Sequence, residues 1–151
     1  MNDRPLEILL VEDCGSDEEL TLLALRRQGL ANPIHVVRDG AEALDFFARS
    51  GRHAGRSGRD PELVLLDLRL PKVSGIDVLR YLKGNPSTRG IRVVALVSSK
   101  EEEHFSDLHH LGVDGVLVKP LTFEGFMELA VQFDLQWLLI HRPQTAQRAA
   151  A

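Results

Sequence analysis

Short, unbroken runs of aliphatic residues recur along this chain, and they limit its fold more than any other feature. A run that is apolar at every position is typical of a strand covered on both faces of a parallel sheet. Segments of helix length, with apolar residues every three or four positions, separate the runs. The five runs, the second being the weakest, are residues 6–11, 33–37, 62–68, 92–97 and 115–118. Five alternating strand–helix pairs predict an α/β protein with an open, doubly wound sheet of five parallel strands.

Start and stop signals give approximate bounds for five helices. Ser74 and Thr122 are favourable N-cap residues for the third and fifth helices, and Gly29 is a stop signal after the first. The last helix is predicted to be an extended C-terminal one. The predicted helices are residues 16–28, a segment from 40 onward, a segment after 74, residues 101–111, and a segment from after 122 to about 140.

The size and charge of the chain narrow the class of protein. Its 151 residues, 44% of them apolar, allow one domain with a sizeable core, which we expect at residues 1–140 with a tail at 141–151. A net charge of −4 gives no electrostatic reason to expect a nucleic acid or an anionic membrane as a partner. The single cysteine, Cys14, cannot form an internal disulfide, which fits a cytoplasmic location.

Polar side chains stand where four of these strands end. Glu12 and Asp13 follow the first run, and Asp67 lies at the end of the third. Ser98 follows the fourth run and Lys119 follows the fifth. In an open α/β sheet the functional crevice lies at the carboxyl ends of the strands. We therefore expect these side chains to converge on one rim.

Three carboxylates on one rim predict a metal ion, because unpaired carboxylates repel one another and Mg²⁺ is coordinated by oxygen. Glu12 and Asp13 are the candidate ligands, and Lys119 supplies a positive charge suited to a phosphate. The composite site suits phosphoryl transfer onto a carboxylate, with Asp67 on the central strand as the acceptor. Asp17 is expected only to stabilise the first turn of a helix.

Three motifs carry a resemblance to a known family. They are LLVED at 9–13, LLDLRLPKVSG at 65–75 and VLVKP at 116–120. Together they resemble the receiver domain of two-component response regulators, over about residues 6–140. The resemblance implies a flavodoxin-like (βα)5 fold, Mg²⁺ or Mn²⁺ as the metal ion, and a cis peptide bond before Pro120.

The resemblance also implies a role for each residue of the rim. Asp67 is the expected phosphoacceptor, and Lys119 is expected to contact the phosphoryl group. The expected metal ligands are the carboxylates of Glu12, Asp13 and Asp67 and the backbone carbonyl of Arg69. A receiver of this kind is not an enzyme in the ordinary sense, since it catalyses at most its own phosphorylation and dephosphorylation.

Within this family the chain is most similar to the small single-domain regulators that partner phytochrome-linked histidine kinases. The similar features are VEDCGSD, the Gly-, Arg- and Ser-rich segment 49–60, GNPSTRGIRVV, and a long last helix after KP. The implied partner is a sensor histidine kinase of the bacteriophytochrome type. We expect segment 49–60 to be a solvated loop.

Two positions depart from the family pattern. The fourth strand usually ends in Thr or Ser, and here Val97 occupies that position, with Ser98 as a candidate substitute for the phosphate contact. Tyr or Phe often lies three residues before the lysine, and here that residue is Val116. Both parts of the usual switch are absent. The alternative function is therefore a receiver-like module that docks or dimerises without phosphorylation.

The last predicted helix has more apolar residues than one core-facing stripe requires. A helix that is apolar on two faces needs a second partner. The candidate dimer surface comprises Met127, Val131, Leu135 and Leu138, and the expected assembly is a homodimer. The alternative is a C-terminal segment that folds back onto its own domain.

Two other functions of the same sheet architecture are less favoured. A flavin-binding protein needs a Ser-, Thr- or Gly-rich phosphate cradle after the first strand, but the acidic segment EDCGSDEE would repel a phosphate. An aspartyl-phosphate phosphatase often carries a second acid two residues after its nucleophile, where this chain has Arg69.

Overall fold

A single five-stranded sheet forms the centre of the computed structural model, which describes residues 5–70, 72–98 and 105–142. The strand order is β2-β1-β3-β4-β5, and all neighbouring strands are parallel. The strands are β1 (Ile8–Val11), β2 (Ile34–Val37), β3 (Leu63–Asp67), β4 (Arg92–Val97) and β5 (Gly115–Val118). Each lies inside one of the five aliphatic runs, and the predicted flavodoxin-like fold class is confirmed.

In the described part of the chain, five α-helices connect or follow these strands. Their bounds are α1 (Gly15–Arg27), α2 (Gly40–Ala48), α3 (Gly75–Gly84), α4 (Phe105–His110) and α5 (Phe123–Gln132). The predicted N-caps of α3 and α5 are confirmed, since the side chains of Ser74 and Thr122 accept hydrogen bonds from backbone N–H groups. Residues 101–104, predicted to begin α4, lie outside the described residues. Among the described helices, none is long and apolar enough to cross a bilayer.

The helices cover both faces of the sheet, and each face has its own hydrophobic cluster. On one face Leu9 and Val11 of β1 pack in a cluster with residues of α2, α3 and α4. On the other face Ile8 and Leu10 pack in a cluster with residues of α1 and α5. All four β1 residues are fully buried. Strands covered on both faces explain why the aliphatic runs are continuous rather than alternating.

The segment 49–60 is a largely exposed loop, as predicted, and its Arg56 side chain packs against α2. It contains a 3₁₀ turn at Gly51–His53. The guanidinium of Arg56 lies 4.0 Å from the centre of the Phe46 ring, and its Nε donates a hydrogen bond to the Phe46 carbonyl. Arg56 also pairs with Asp60 at 2.6 Å. The contact between the Arg56 cation and the Phe46 ring holds this Arg-rich segment against α2.

The last helix ends at Gln132, so the prediction that it extends to about residue 140 is wrong. Asp134 has a left-handed backbone with φ of 60°. Its N–H donates to the Val131 carbonyl at 3.0 Å, and the Leu135 N–H donates to the Ala130 carbonyl at 2.8 Å. This pair of bonds is a Schellman motif, which ends a helix by satisfying its last carbonyls. In a sequence, an aspartate at this left-handed position predicts the end of a helix less strongly than a glycine does.

The chain then folds back along the domain, which was the alternative to a dimerising helix. After a 3₁₀ turn at Gln136–Leu138, the Leu138 carbonyl accepts a hydrogen bond from Leu6 N–H at 3.2 Å. Arg142 N–H donates to the Gly29 carbonyl at 2.7 Å. A Cβ at Gly29 would lie 2.6 Å from the Arg142 carbonyl oxygen, so the residue predicted as a helix stop also admits the returning chain.

The side chain of Asn32, which lies between α1 and β2, binds this returning chain. The Asn32 amide donates to the carbonyls of Leu6 and Leu138, at 2.8 and 2.9 Å, and its Oδ1 accepts from Ile140 N–H at 2.6 Å. Asn32 is fully buried. Sequence reasoning missed this residue, because a lone asparagine before a strand ordinarily indicates a turn.

Most of the candidate dimer surface lies against its own domain. Met127, Leu135 and Leu138 are partly buried against the hydrophobic cluster shared with α1. Val131 alone of the four predicted residues is substantially exposed, at 56%. Because the helix is short and the chain turns back, a second apolar helix face is not formed. The reasoning that required a partner for that face is therefore wrong.

Candidate functional site

Carboxylates from two neighbouring strands meet at the carboxyl edge of the sheet, as the sequence predicted. Glu12 and Asp13 directly follow β1, and Asp67 is the last residue of β3. One oxygen from each of the three side chains lies within 4.8 Å of the others. We call these three residues the acidic cluster. Glu12 and Asp67 are buried, whereas Asp13 is exposed.

The acceptor candidate Asp67 is held by its own loop. Its Oδ1 accepts a hydrogen bond from the Arg69 backbone N–H at 2.9 Å. Gly75, at the start of α3, closes this loop, because its N–H donates to the Leu68 carbonyl. A Cβ at Gly75 would lie 2.6 Å from the Asp67 carbonyl oxygen, so only glycine fits this approach without a shift of the backbone. The orientation of Asp67 is therefore set by backbone contacts.

Lys119 reaches the acidic cluster from β5. Its backbone N–H donates to the Val97 carbonyl at 2.7 Å, and the peptide bond to Pro120 is cis, as predicted. Its Nζ lies 2.8 Å from Glu12 Oε1 and 3.0 Å from Asp67 Oδ2. The ammonium therefore lies between the two buried carboxylates of the cluster.

A further carboxylate, which sequence reasoning treated only as a helix-end charge, contacts the same ammonium. Asp17 Oδ2 accepts a hydrogen bond from Lys119 Nζ at 2.9 Å. The available signal was spacing: Asp17 lies four residues after Asp13, which places it in the first turn of a helix that begins at the rim. That spacing alone does not distinguish a carboxylate facing the rim from one facing solvent.

Opposite charges hold Lys119 in its protonated form. Burial by itself would lower the pKa of Lys119, but the hydrogen bonds to Glu12, Asp17 and Asp67 outweigh it and raise the pKa above its ordinary value. The side chain therefore carries a full positive charge at neutral pH. Such a charge is suited to a phosphoryl oxygen at this rim.

The pKa of the Glu12 carboxyl group is raised in this site. Burial raises the pKa of Glu12 from 4.5 to about 7, the neighbouring Asp67 carboxyl adds to this effect, and Lys119 only partly offsets it. In the metal-free protein Glu12 therefore holds a proton over much of the range below neutrality.

This shift predicts a pH-dependent stability that the Glu12→Gln variant lacks. In metal-free wild-type protein, the unfolded state releases the Glu12 proton near pH 4.5 and the native state near pH 7. Wild-type stability relative to the variant should therefore fall as the pH rises between these values, by at most about 3 kcal/mol. Urea denaturation in chelator from pH 4.5 to 8 measures the difference.

The control for this measurement is Glu19→Gln, which removes an exposed acid from α1. The difference between that variant and wild type should stay constant over the same pH range. A constant difference for Glu12→Gln as well would contradict the raised pKa of Glu12.

The acidic cluster has the donors that a hard divalent cation requires. All three side chains offer carboxylate oxygens, which are the ligands that Mg²⁺ and Mn²⁺ take in proteins. Glu12 Oε1 is buried, and beyond its ion pair with Lys119 it accepts no hydrogen bond of ordinary geometry from the described residues. A cation would compensate that buried oxygen and reduce the repulsion between Glu12 and Asp67. The residues therefore fit a divalent metal ion.

The last residue of β4, Val97, lacks the hydroxyl group of the usual switch residue. Val97 is fully buried in the hydrophobic cluster that includes α3, and Val116 packs against the same cluster. Ser98, the next residue, lines a cavity of 330 Å³ together with Lys119 and Asp17. The structure therefore brings Ser98 to the rim and leaves Val97 in the core.

Comparisons with known proteins agree with this arrangement. The family model described as "Response regulator receiver domain" matches residues 8–130. The probable methanogenesis regulatory protein FilR2 of Methanothrix harundinacea is 37% identical over 134 residues, which cover 89% of this chain and 84% of that protein.

Two solved structures are similar over almost the whole chain. The bacteriophytochrome response regulator AtBRR is 44% identical, with a TM-score of 0.83, over 93% of this chain and 100% of that one. The Mn²⁺-bound form of the response regulator Rcp1 is 30% identical, with a TM-score of 0.70, over 92% and 100%. The family match includes the whole sheet, the acidic cluster and Lys119. The chain therefore belongs to the receiver domain family of response regulators.

Proposed function

We propose that this receiver accepts a phosphoryl group from a histidine kinase onto Asp67, in a reaction that depends on Mg²⁺. The observation that carries the proposal is the position of Lys119 Nζ, 3.0 Å from Asp67 Oδ2 and beside the acidic cluster. Receiver domains are signalling proteins rather than ordinary enzymes, and we place this one in the cytoplasm. Its output would come from protein contacts or from a phosphorelay.

The transfer can be written as a substitution at phosphorus. A carboxylate oxygen of Asp67 attacks the phosphorus of a phosphohistidine or a small phosphodonor, and the bond from phosphorus to the donor breaks as the new O–P bond forms. The donor histidine leaves with the electron pair of the broken P–N bond and takes up a proton. The Arg69 N–H keeps the carboxylate oriented, and the Lys119 ammonium lies where negative charge accumulates.

The metal ligands would be the side chains of Glu12, Asp13 and Asp67 and the backbone carbonyl of Arg69. The metal ion supplies charge neutralisation at the acceptor, where a carboxylate must approach an anionic phosphoryl group. Ser98 is the candidate for a hydroxyl contact to that group, since it lines the same cavity as Lys119.

Intact-protein mass spectrometry tests the proposal directly. Wild-type protein is incubated with acetyl phosphate, with Mg²⁺ in one sample and with excess chelator in the other. The expected result is an adduct of one phosphoryl group in the Mg²⁺ sample, labile to hydroxylamine, that maps to the peptide containing Asp67. Absence of the adduct after treatment with both acetyl phosphate and a histidine kinase would contradict the proposal.

A second function is favoured by Val97 and Val116. These residues lack the hydroxyl and the aromatic ring of the usual switch, so a receiver-like module that docks without phosphorylation is the alternative. The two functions differ in the mass experiment, because only the first requires an adduct. They also differ in partner binding. If the protein docks without phosphorylation, wild type and a variant that lacks Asp67 should bind the partner equally well.

The proposed partner is a sensor histidine kinase of the bacteriophytochrome type, on the ground of the 44% identity with AtBRR. We also propose a homodimer, although fewer exposed residues support it than the sequence predicted. Val131 and Trp137 are 56% and 79% exposed, and both lie in the C-terminal part of the domain. Sedimentation velocity at increasing protein concentration tests the dimer, and a monomer at the highest concentration would contradict it.

A further inference from the structure

Asp17 contacts the site lysine without belonging to the acidic cluster. Its Oδ2 lies 2.9 Å from Lys119 Nζ, as close as the two cluster carboxylates. It differs from them in position, because it lies in the first turn of α1 rather than at a strand end. It also differs in environment, since its side chain is 38% exposed whereas those of Glu12 and Asp67 are 0% and 7% exposed.

The number of donors on the ammonium makes this third contact significant. A lysine ammonium has three N–H groups, and among the described residues three carboxylates surround it. Two of them, Glu12 and Asp67, are also the oxygen donors of the acidic cluster. An oxygen that coordinates a metal ion, or the Asp67 oxygen that becomes bonded to phosphorus, would no longer hold Lys119 in the same way. Asp17 is the contact that can persist through this change.

We propose that Asp17 is a positioning residue that anchors Lys119 over the acceptor during phosphoryl transfer. One N–H of the ammonium stays on Asp17, and the other two become free for phosphoryl oxygens. The inference rests on the proposed function of Asp67 as acceptor. In this proposal a residue of α1, which begins three residues after Glu12, holds the lysine that directly follows β5.

The competing explanation is that Asp17 serves only its own helix. An acidic residue in the first turn interacts favourably with the helix dipole, but that effect is local and does not involve Lys119. Under this explanation Asp17 and its neighbour Glu19 should behave alike when their charges are removed. Glu19 is exposed on the same helix and is therefore the matched control.

The first experiment compares rates of acyl phosphate formation. Asp17→Ala, Asp17→Asn, Asp17→Glu and Glu19→Gln are assayed against wild type, at saturating Mg²⁺ and varied acetyl phosphate. Asp17→Ala is expected to lower the rate constant at low donor concentration about threefold to tenfold, the effect of losing part of one charged contact. Asp17→Asn should be intermediate, and Asp17→Glu should recover most of the rate because it restores the carboxylate. Equal rates for Asp17→Ala and Glu19→Gln would overturn the proposal.

A second readout separates this inference from the proposed function. The ammonium ¹⁵N–H signal of Lys119, assigned by its absence in Lys119→Met, is recorded in Mg²⁺-loaded protein without any phosphodonor. The signal should be protected from exchange with water in wild type and in Glu19→Gln, and lost in Asp17→Ala. Equal protection in Asp17→Ala would overturn the anchoring role even if Asp67 is phosphorylated. Lost protection would support it even if acetyl phosphate leaves no adduct.

Discussion

Replacing Asp67 by asparagine is expected to abolish the phosphoryl adduct, with a loss of more than about a thousandfold, the scale seen when a nucleophile is removed. The amide has no anionic oxygen to attack phosphorus. Its carbonyl oxygen can still accept the hydrogen bond from the Arg69 N–H, so the loop should keep its conformation. Its NH₂ group would then face Lys119 Nζ, where the native oxygen lies at 3.0 Å. The variant therefore removes both the proposed nucleophile and one contact of the lysine.

The fold of this variant should be preserved. Removing one of three neighbouring carboxylates lowers their mutual repulsion, which offsets the lost contact with Lys119, so the metal-free variant should unfold at a temperature close to that of wild type. The matched control is Asp77→Asn, which removes a surface acid of α3 that pairs only loosely with Arg80, at 3.7 Å. Intact mass after incubation with acetyl phosphate and Mg²⁺ is the measurement. An adduct of undiminished yield on Asp67→Asn would show that another residue is the acceptor.

The second large effect is expected far from the site, in Asn32→Ala. The substitution leaves the buried Leu6 carbonyl and the partly buried Ile140 N–H without their side-chain partner, and it removes one of the two hydrogen bonds that the Leu138 carbonyl accepts. A buried polar group that loses its partner costs about 1–3 kcal/mol, and water entering the space recovers part of this. The free energy of unfolding should therefore fall by about 3–5 kcal/mol. Urea denaturation followed by circular dichroism measures the change.

A second asparagine provides the control for this prediction. Asn85, at the end of α3, is only partly buried and makes one side-chain hydrogen bond to the Tyr81 carbonyl. Asn85→Ala should lower the free energy of unfolding by about 1 kcal/mol or less. If Asn32→Ala cost no more than this, the C-terminal segment would contribute little to the fold.

The part of the site that is formed by residues at strand ends could be predicted from the sequence. A parallel sheet brings the carboxyl ends of its strands to one edge, so Glu12, Asp13, Asp67 and Lys119 could be placed together from their positions after the aliphatic runs. The contact between Asp17 and Lys119 could not be predicted in this way. It depends on the rotation of α1 about its axis and on side-chain rotamers, which the spacing of residues along the chain does not specify.

By itself the sequence determined the sheet, the positions of its strands and the residues at its rim, because a strand buried on both faces leaves an aliphatic signature within a few residues. Only the tertiary structure decided where α5 ends and what covers the apolar residues beyond it. Helical periodicity continues through Leu135 and Leu138, yet the chain turns at Asp134 because packing those side chains against the sheet and binding Asn32 outweigh a further turn of helix. That balance involves residues about a hundred positions apart, so no local pattern contains it.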